Sequence, residues 1–164
     1  MERKMNILLV LLISVFSCNT EMPTQFSEEA LNDKFVTLNG NEVSFESILE
    51  KYKGKTIVID VWASWCGDCL RGMPKVKELQ NEYKDVVYVF LSLDRGQDAW
   101  KKGIEKYNVE GDHYYMQSGW KGPFGNFLNL DWIPRYLVVN KASEIVVFKV
   151  IEANDKKLIQ ALKK

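Results

Sequence analysis

Three cysteines, four prolines and one histidine stand among 164 residues. So few cysteines exclude a scaffold stapled by several disulfides, the usual device of small secreted domains with thin cores. They also leave too little for an intramolecular zinc site. A structural zinc takes four Cys or His ligands, and beyond the N-terminal Cys18 the chain offers only Cys66, Cys69 and His113. A surplus of charge is missing too. Lysine and arginine together number 22, and so do aspartate and glutamate, whereas a general nucleic-acid binder needs a basic excess. No internal repeat and no low-complexity tract breaks the chain. Apolar and charged fractions of 46% and 27% are those of a globular protein, not of a disordered chain or a coiled coil. The length suits one domain with a full core.

The N-terminus carries a short apolar run, Ile7 to Phe16, interrupted only by Ser14 and preceded by Arg3 and Lys4. It falls short of the roughly 20 residues that span a bilayer and suits the apolar region of a secretory signal. Val15-Phe16-Ser17-Cys18 then resembles the bacterial lipoprotein box. The resemblance implies cleavage before Cys18 and acylation of its thiol. An ordinary secretory signal with an incidental cysteine, or an uncleaved anchor, is the alternative. Three parts are therefore expected: a signal peptide over 1–17, a lipidated tether over 18–34 and a folded domain over 35–164. The implied location is the bacterial cell envelope, anchored by lipid and facing the periplasm or the exterior.

Along the domain, Phe35–Leu38 and Glu42–Ser44 flank Asn39-Gly40-Asn41, a hairpin signature. Phe45, Ile48, Leu49 and Tyr52 keep helical spacing up to Gly54. Thr56–Trp62 is almost wholly apolar, as a central strand covered on both faces must be. Leu70, Met73, Val76, Leu79 and Tyr83 mark a helix, which Pro74 should kink. Val86–Leu93 is a second buried strand and Asp98–Tyr107 a second long helix. The segment 108–130 is rich in Gly and aromatics, with a possible short strand at His113–Met116. Tyr136–Val139 and Ile145–Val150 read as antiparallel strands, and Asn154 as the cap of a last helix. Strands alternating with helices predict an α/β sheet with right-handed crossovers.

With Cys18 assigned to the lipobox, Cys66 and Cys69 are the only thiols left in the domain. They sit in Trp65-Cys66-Gly67-Asp68-Cys69, just after a buried strand and at the start of a helix. The first turn of a helix exposes unpaired N–H groups and the positive end of the dipole, so a thiol there ionises readily, and the thiolate is the nucleophile. Cysteines three apart on that turn can close a disulfide with little movement. Cys66 is thus the expected attacking thiolate, and Cys69, one turn further in, the resolving one.

The stretch Asp60-Val61-Trp62-Ala63-Ser64-Trp65-Cys66-Gly67-Asp68-Cys69 resembles the thioredoxin signature, departing at Asp68 where that family has Pro. Pro74 falls where the family kinks its active-site helix, and Ile133-Pro134 resembles its cis-proline loop. The hairpin before the first long strand, the central insertion and the lipid anchor resemble the membrane-tethered TlpA-like branch. The resemblance implies a thioredoxin fold, a central mixed sheet flanked by helices, with an N-terminal β-hairpin and a central insertion. It implies a protein-disulfide oxidoreductase with no metal and no cofactor beyond the Cys66–Cys69 disulfide. Disulfide- or thiol-bearing substrate proteins and a membrane dithiol donor are the implied partners. Asp60 is then a buried acid beneath Cys69, able to take its proton; a solvated edge carboxylate is the alternative. Trp65, Ile133 and Pro134 are the implied docking surface, with Gly67 and Asp68 tuning the couple. Ile133 before Pro134 resembles reducing members. A disulfide oxidase or isomerase, or a redox-inactive binding module, are the competing readings.

Other residues are expected to be structural. His113 reads as a surface or satisfied core histidine, Trp62 as core, and Phe124, Phe127 and Trp132 as packing within the insertion, with walls of a docking groove as the alternative. The Asp68 carboxylate should oppose thiolate formation while the helix dipole attracts its charge, two effects of opposite sign, and Arg71 and Arg135 compensate if they point at the site.

Overall fold

The computed structural model describes residues 22–163. The signal segment, the lipobox and Cys18 lie outside the described residues. The described elements are α1 (Glu28–Asn32), β1 (Lys34–Thr37), β2 (Glu42–Ser44), α2 (Phe45–Lys51), β3 (Ile57–Trp62) and α3 (Gly67–Glu82), followed by β4 (Val87–Ser92), α4 (Gln97–Tyr107), β5 (Asp112–Tyr115), α5 (Pro123–Phe127), β6 (Arg135–Val139), β7 (Ile145–Val150) and α6 (Lys156–Leu162).

All seven strands join one mixed sheet in the order β2-β1-β5-β4-β3-β6-β7. The β-branched run of β3 is buried at every position, as a strand with neighbours on both edges and helices on both faces must be. It lies parallel to β4 and antiparallel to β6. The hairpin turns at Gly40, whose φ of 84° suits a residue without Cβ. Helix α3 runs unbroken through Pro74, and its apolar positions Met73, Val76 and Leu79 are buried.

Two features depart from expectation. The tether expected over 18–34 is folded in its later part. Phe26 and Ala30 are buried in the core, and Ser27 caps α1. The reason is an aromatic cluster that joins this segment to the insertion: the Phe26 and Phe45 rings lie 4.8 Å apart, and those of Phe45 and Phe124 lie 4.6 Å apart. In the insertion the short strand expected at His113–Met116 is found as β5, which pairs with both β4 and β1. Lastly, the cap of α6 is Asp155 and not Asn154, because the Asp155 carboxylate accepts from the N–H groups of Lys157 and Leu158.

Buried Asp33 ties these parts together. Its carboxylate accepts from the Ser118 hydroxyl at 2.8 Å and the Phe124 N–H at 3.0 Å. The second of these caps α5, whose own N-cap, Gly122, has no side chain to offer.

Candidate active site

The loop leaving β3 delivers Cys66 to the N-terminus of α3. Cys66 is the N-cap residue of that helix, and its Sγ accepts the Cys69 N–H at 3.1 Å. On reduction, the thiolate of Cys66 would sit where the dipole of a 16-residue helix favours negative charge. Cys66 and Cys69 are joined as a disulfide with Cα atoms 5.3 Å apart. Cys66 is 6% exposed and Cys69 0%, so an incoming disulfide reaches Cys66 first.

The β6 side of the site comes from Ile133 and Pro134. Their peptide bond is cis, as the sequence suggests. The Ile133 carbonyl oxygen lies 3.5 Å from Cys66 Sγ, so the start of β6 and the sulfur form one rim. A cavity of about 450 Å³ opens there, lined by Trp65, Trp120 and Trp132 and by Cys66. Trp132 corrects the expectation of core packing: it is 58% exposed, beside a Trp65 that is 51% exposed. Phe124 is buried as expected, and Phe127 is half-buried. Asp68 pairs with Arg71 on the next turn, so a counterion meets its charge. Arg135 is instead engaged by Asp131 at 2.8 Å and by the Pro134 carbonyl.

Asp60 is not a solvated edge carboxylate. It is 2% exposed and neither oxygen has a hydrogen-bond partner. Burial pushes its carboxyl well above the usual range, opposed only by the neighbouring Tyr136 hydroxyl. A carboxyl in that state can hold a proton and exchange it with a neighbouring thiol. His113 is a core histidine. Nε2 meets the Val109 carbonyl at 2.9 Å, the ring stacks on Phe90, and burial pushes its pKa down.

Sequence reading missed the anchor of the active-site loop. Buried Asp94 accepts from the N–H of Ser64 at 3.1 Å, the Ser64 hydroxyl at 2.6 Å and the Ser92 hydroxyl at 2.8 Å. The signal was a carboxylate directly after the apolar run Val86–Leu93. Gly103 of α4 packs against the same Ser64, where any Cβ would overlap the serine Cβ. Gly103→Ala is therefore expected to destabilise the fold by about 1–3 kcal/mol through overpacking, although alanine is the better helix former by roughly 1 kcal/mol. Urea denaturation checks this, and an unchanged or higher midpoint would contradict the packing.

Comparison with known proteins agrees with this geometry. The pattern of the thioredoxin-like family matches residues 54–145. The chain is 30% identical over 111 residues to an uncharacterised protein of Haemophilus influenzae, an alignment covering 62% of this chain and 66% of that one. It is 28% identical over 114 residues to the thioredoxin-like protein YneN of Bacillus subtilis, covering 63% and 65%. With the thiol-disulfide oxidoreductase ResA of Bacillus cereus it shares 28% over 88 residues, covering 52% and 49%. The chain thus spans less than two thirds of the length of each of these relatives. A solution structure from Bacteroides vulgatus, assigned as a thiol-disulfide oxidoreductase, superposes with a TM-score of 0.67 at 29% identity, covering 90% of this chain and 91% of that one. Matched residues 54–145 contain β3, the Cys66–Cys69 disulfide and the cis-proline loop, and this chain belongs to the thioredoxin-like family.

Proposed function

We propose that the chain is a thiol–disulfide oxidoreductase that exchanges its Cys66–Cys69 dithiol or disulfide with proteins outside the cytoplasm, working as a reductase. The observation that carries this reading is a disulfide at a helix N-terminus, with the capping sulfur at the rim of an aromatic cavity and the other sulfur covered. The Cys66 thiolate attacks a substrate disulfide and forms a mixed disulfide, releasing the first substrate thiol. The Cys69 sulfur, giving its proton to Asp60, then attacks Cys66 Sγ and expels the second substrate sulfur as a thiolate. Two electrons move as a thiol pair, so neither flavin nor metal is needed. The likeness to ResA and the lipobox at Cys18 support a lipid-anchored protein of the cell envelope, recharged by a membrane dithiol donor. Among the described residues no helix is long and apolar enough to cross a membrane.

An insulin-reduction assay beside a glutathione redox titration tests the reading. Reduction of insulin with a potential in the thioredoxin range, near −270 mV, is expected; a potential near −120 mV would assign the oxidase direction instead. Absence of exchange in either direction would leave only a binding module. The exposed tryptophans belong to protein docking, where aromatic side chains supply much of the contact energy. Trp65→Ala with Trp132→Ala is expected to lower kcat/KM for a protein disulfide at least tenfold, while a small aryl disulfide reacts at close to the wild-type rate. Equal losses on both substrates would remove the docking role.

A further inference from the structure

Asp60 has a neighbour whose chemistry the exchange reaction leaves unused. In the β3–β6 ladder Asp60 stands directly opposite Tyr136, and opposed residues of an antiparallel pair project to the same face. That face is the one under α3. A Cβ built on Gly72, one turn beyond Cys69, would come within 3.1 Å of the Tyr136 hydroxyl oxygen. Tyr136 is 1% exposed, and its hydroxyl has no hydrogen-bond partner in the disulfide form, like the two Asp60 oxygens it faces. Two buried polar groups without partners, side by side in a core, are costly unless one state of the protein pairs them. Glycine at 72 leaves the hydroxyl its place; a larger residue there would press on it.

Resting on the reading of Asp60 as the acceptor of the Cys69 proton, we propose that Tyr136 is the positioning residue for that acid. Its hydroxyl donates to the Asp60 carboxylate when Asp60 is ionised, and so sets the pH above which Cys69 is activated. In the resolving step the Cys69 S–H proton passes to the Asp60 oxygen, the Cys69 sulfur bonds to Cys66 Sγ, and the S–S bond of the mixed disulfide breaks, its electron pair leaving with the substrate sulfur. Tyr136 keeps its proton throughout and only orients and stabilises the base. The pairing is local to the core. The strand partners Phe90 of β4 and Val150 of β7 are apolar. The charged side chains near this face, Asp68, Arg71 and Lys75 of α3 and Glu152 after β7, line a separate surface cavity that Gly72 and Tyr136 also border.

The experiment mixes reduced full-length protein with an aryl disulfide whose thiolate product is coloured. The fast release of product reports attack by Cys66, and the second release reports resolution by Cys69. In Tyr136→Phe the first phase is expected to be unchanged. The second slows about tenfold below the wild-type midpoint and converges on the wild-type rate above it, as a one-unit rise in the acid's pKa requires. In an Asp60→Asn background, Tyr136→Phe should add nothing. In the unaltered protein, the ring-carbon resonance of Tyr136 should move with the same midpoint as the Asp60 carboxyl, a readout that does not depend on any variant folding. A uniform slowing at every pH would mark a structural lesion and overturn the proposal, and so would a Tyr136 resonance indifferent to Asp60. A wild-type protein that fails to produce the second phase would instead overturn the exchange reading beneath it.

Discussion

Cys69→Ser is expected to stop turnover and to load the protein with mixed disulfides on Cys66. The geometry separates the two steps. Cys66 sits at the rim of the aromatic cavity and caps α3, so its thiolate is favoured by a backbone N–H and by the helix dipole whichever side chain follows at 69. Attack on a substrate disulfide therefore survives the substitution. The second step does not, because among the described residues the only other thiol, that of Cys69, has gone. Multiple-turnover reduction of insulin should fall to the uncatalysed background, while a single equivalent of substrate remains bound through sulfur. Peptide mapping of the trapped species by mass spectrometry reads the attachment site. Cys66→Ser should trap nothing, because Cys69 is fully buried. Adducts on Cys69 in that variant, or wild-type turnover in Cys69→Ser, would reverse the assigned roles.

Asp60→Asn should act in opposite directions on rate and on stability. Removing the base slows the resolving step by about 10²-fold, the lower end of the range for a positioned acid or base, with the attack step unchanged. For stability the sign follows from the raised carboxyl pKa in the fold. Between the ordinary aspartate value of roughly 3.9 and the raised folded value, the folded state binds more protons than the unfolded chain, so stability falls as pH rises. The penalty approaches about 1.4 kcal/mol for each unit by which burial raises the carboxyl. Asparagine is nearly isosteric and carries no charge. The variant should therefore melt higher than the wild type at pH 7–8 and lose that advantage near pH 3. A lower melting point throughout would mean that the carboxylate has a partner the structure does not show.

Legibility in the sequence followed the range of the interactions. The nucleophile, its partner and the cis-proline loop were readable because each is local: two cysteines three apart, a strand before them, a proline before another strand. Asp60 was readable as one charge in an apolar run. The strands β3, β4 and β6 were readable because burial on both faces leaves nearly unbroken apolar segments, and the edge strand β7 because of its Ile145–Phe148 run, although Val146 is exposed. What was hidden is what depends on distant pairing. Nothing near Asp33 announces that it caps a helix 91 residues on. Nothing near Trp132 distinguishes a core aromatic from one exposed beside Trp65, since an indole has the same composition on either side of a surface. Asp94 holding Ser64 spans 30 residues, and the Tyr136–Asp60 juxtaposition depends on the β3–β6 register. The polar character of residues 22–34 masked the apolar pair, Phe26 and Ala30, that docks them.

The cap that Asp33 lends to α5 also has a consequence in time. A helix of five residues lies far below the length at which helices hold by themselves, and this one draws its cap from across the chain. It therefore acquires its shape only after the segment around Phe26–Asp33 has docked, and closing so long a loop is among the later events of folding. Trp120, on the wall of the cavity beside Cys66, belongs to the turn that leads into α5. The two sulfurs can meet early, within one helical turn, while the aromatic wall beside them is completed last. A chain still emerging thus carries a thiol pair before it has a recognition surface. The Trp120 side of the cavity therefore depends on the segment around Asp33 as well as on the loop that carries the sulfurs.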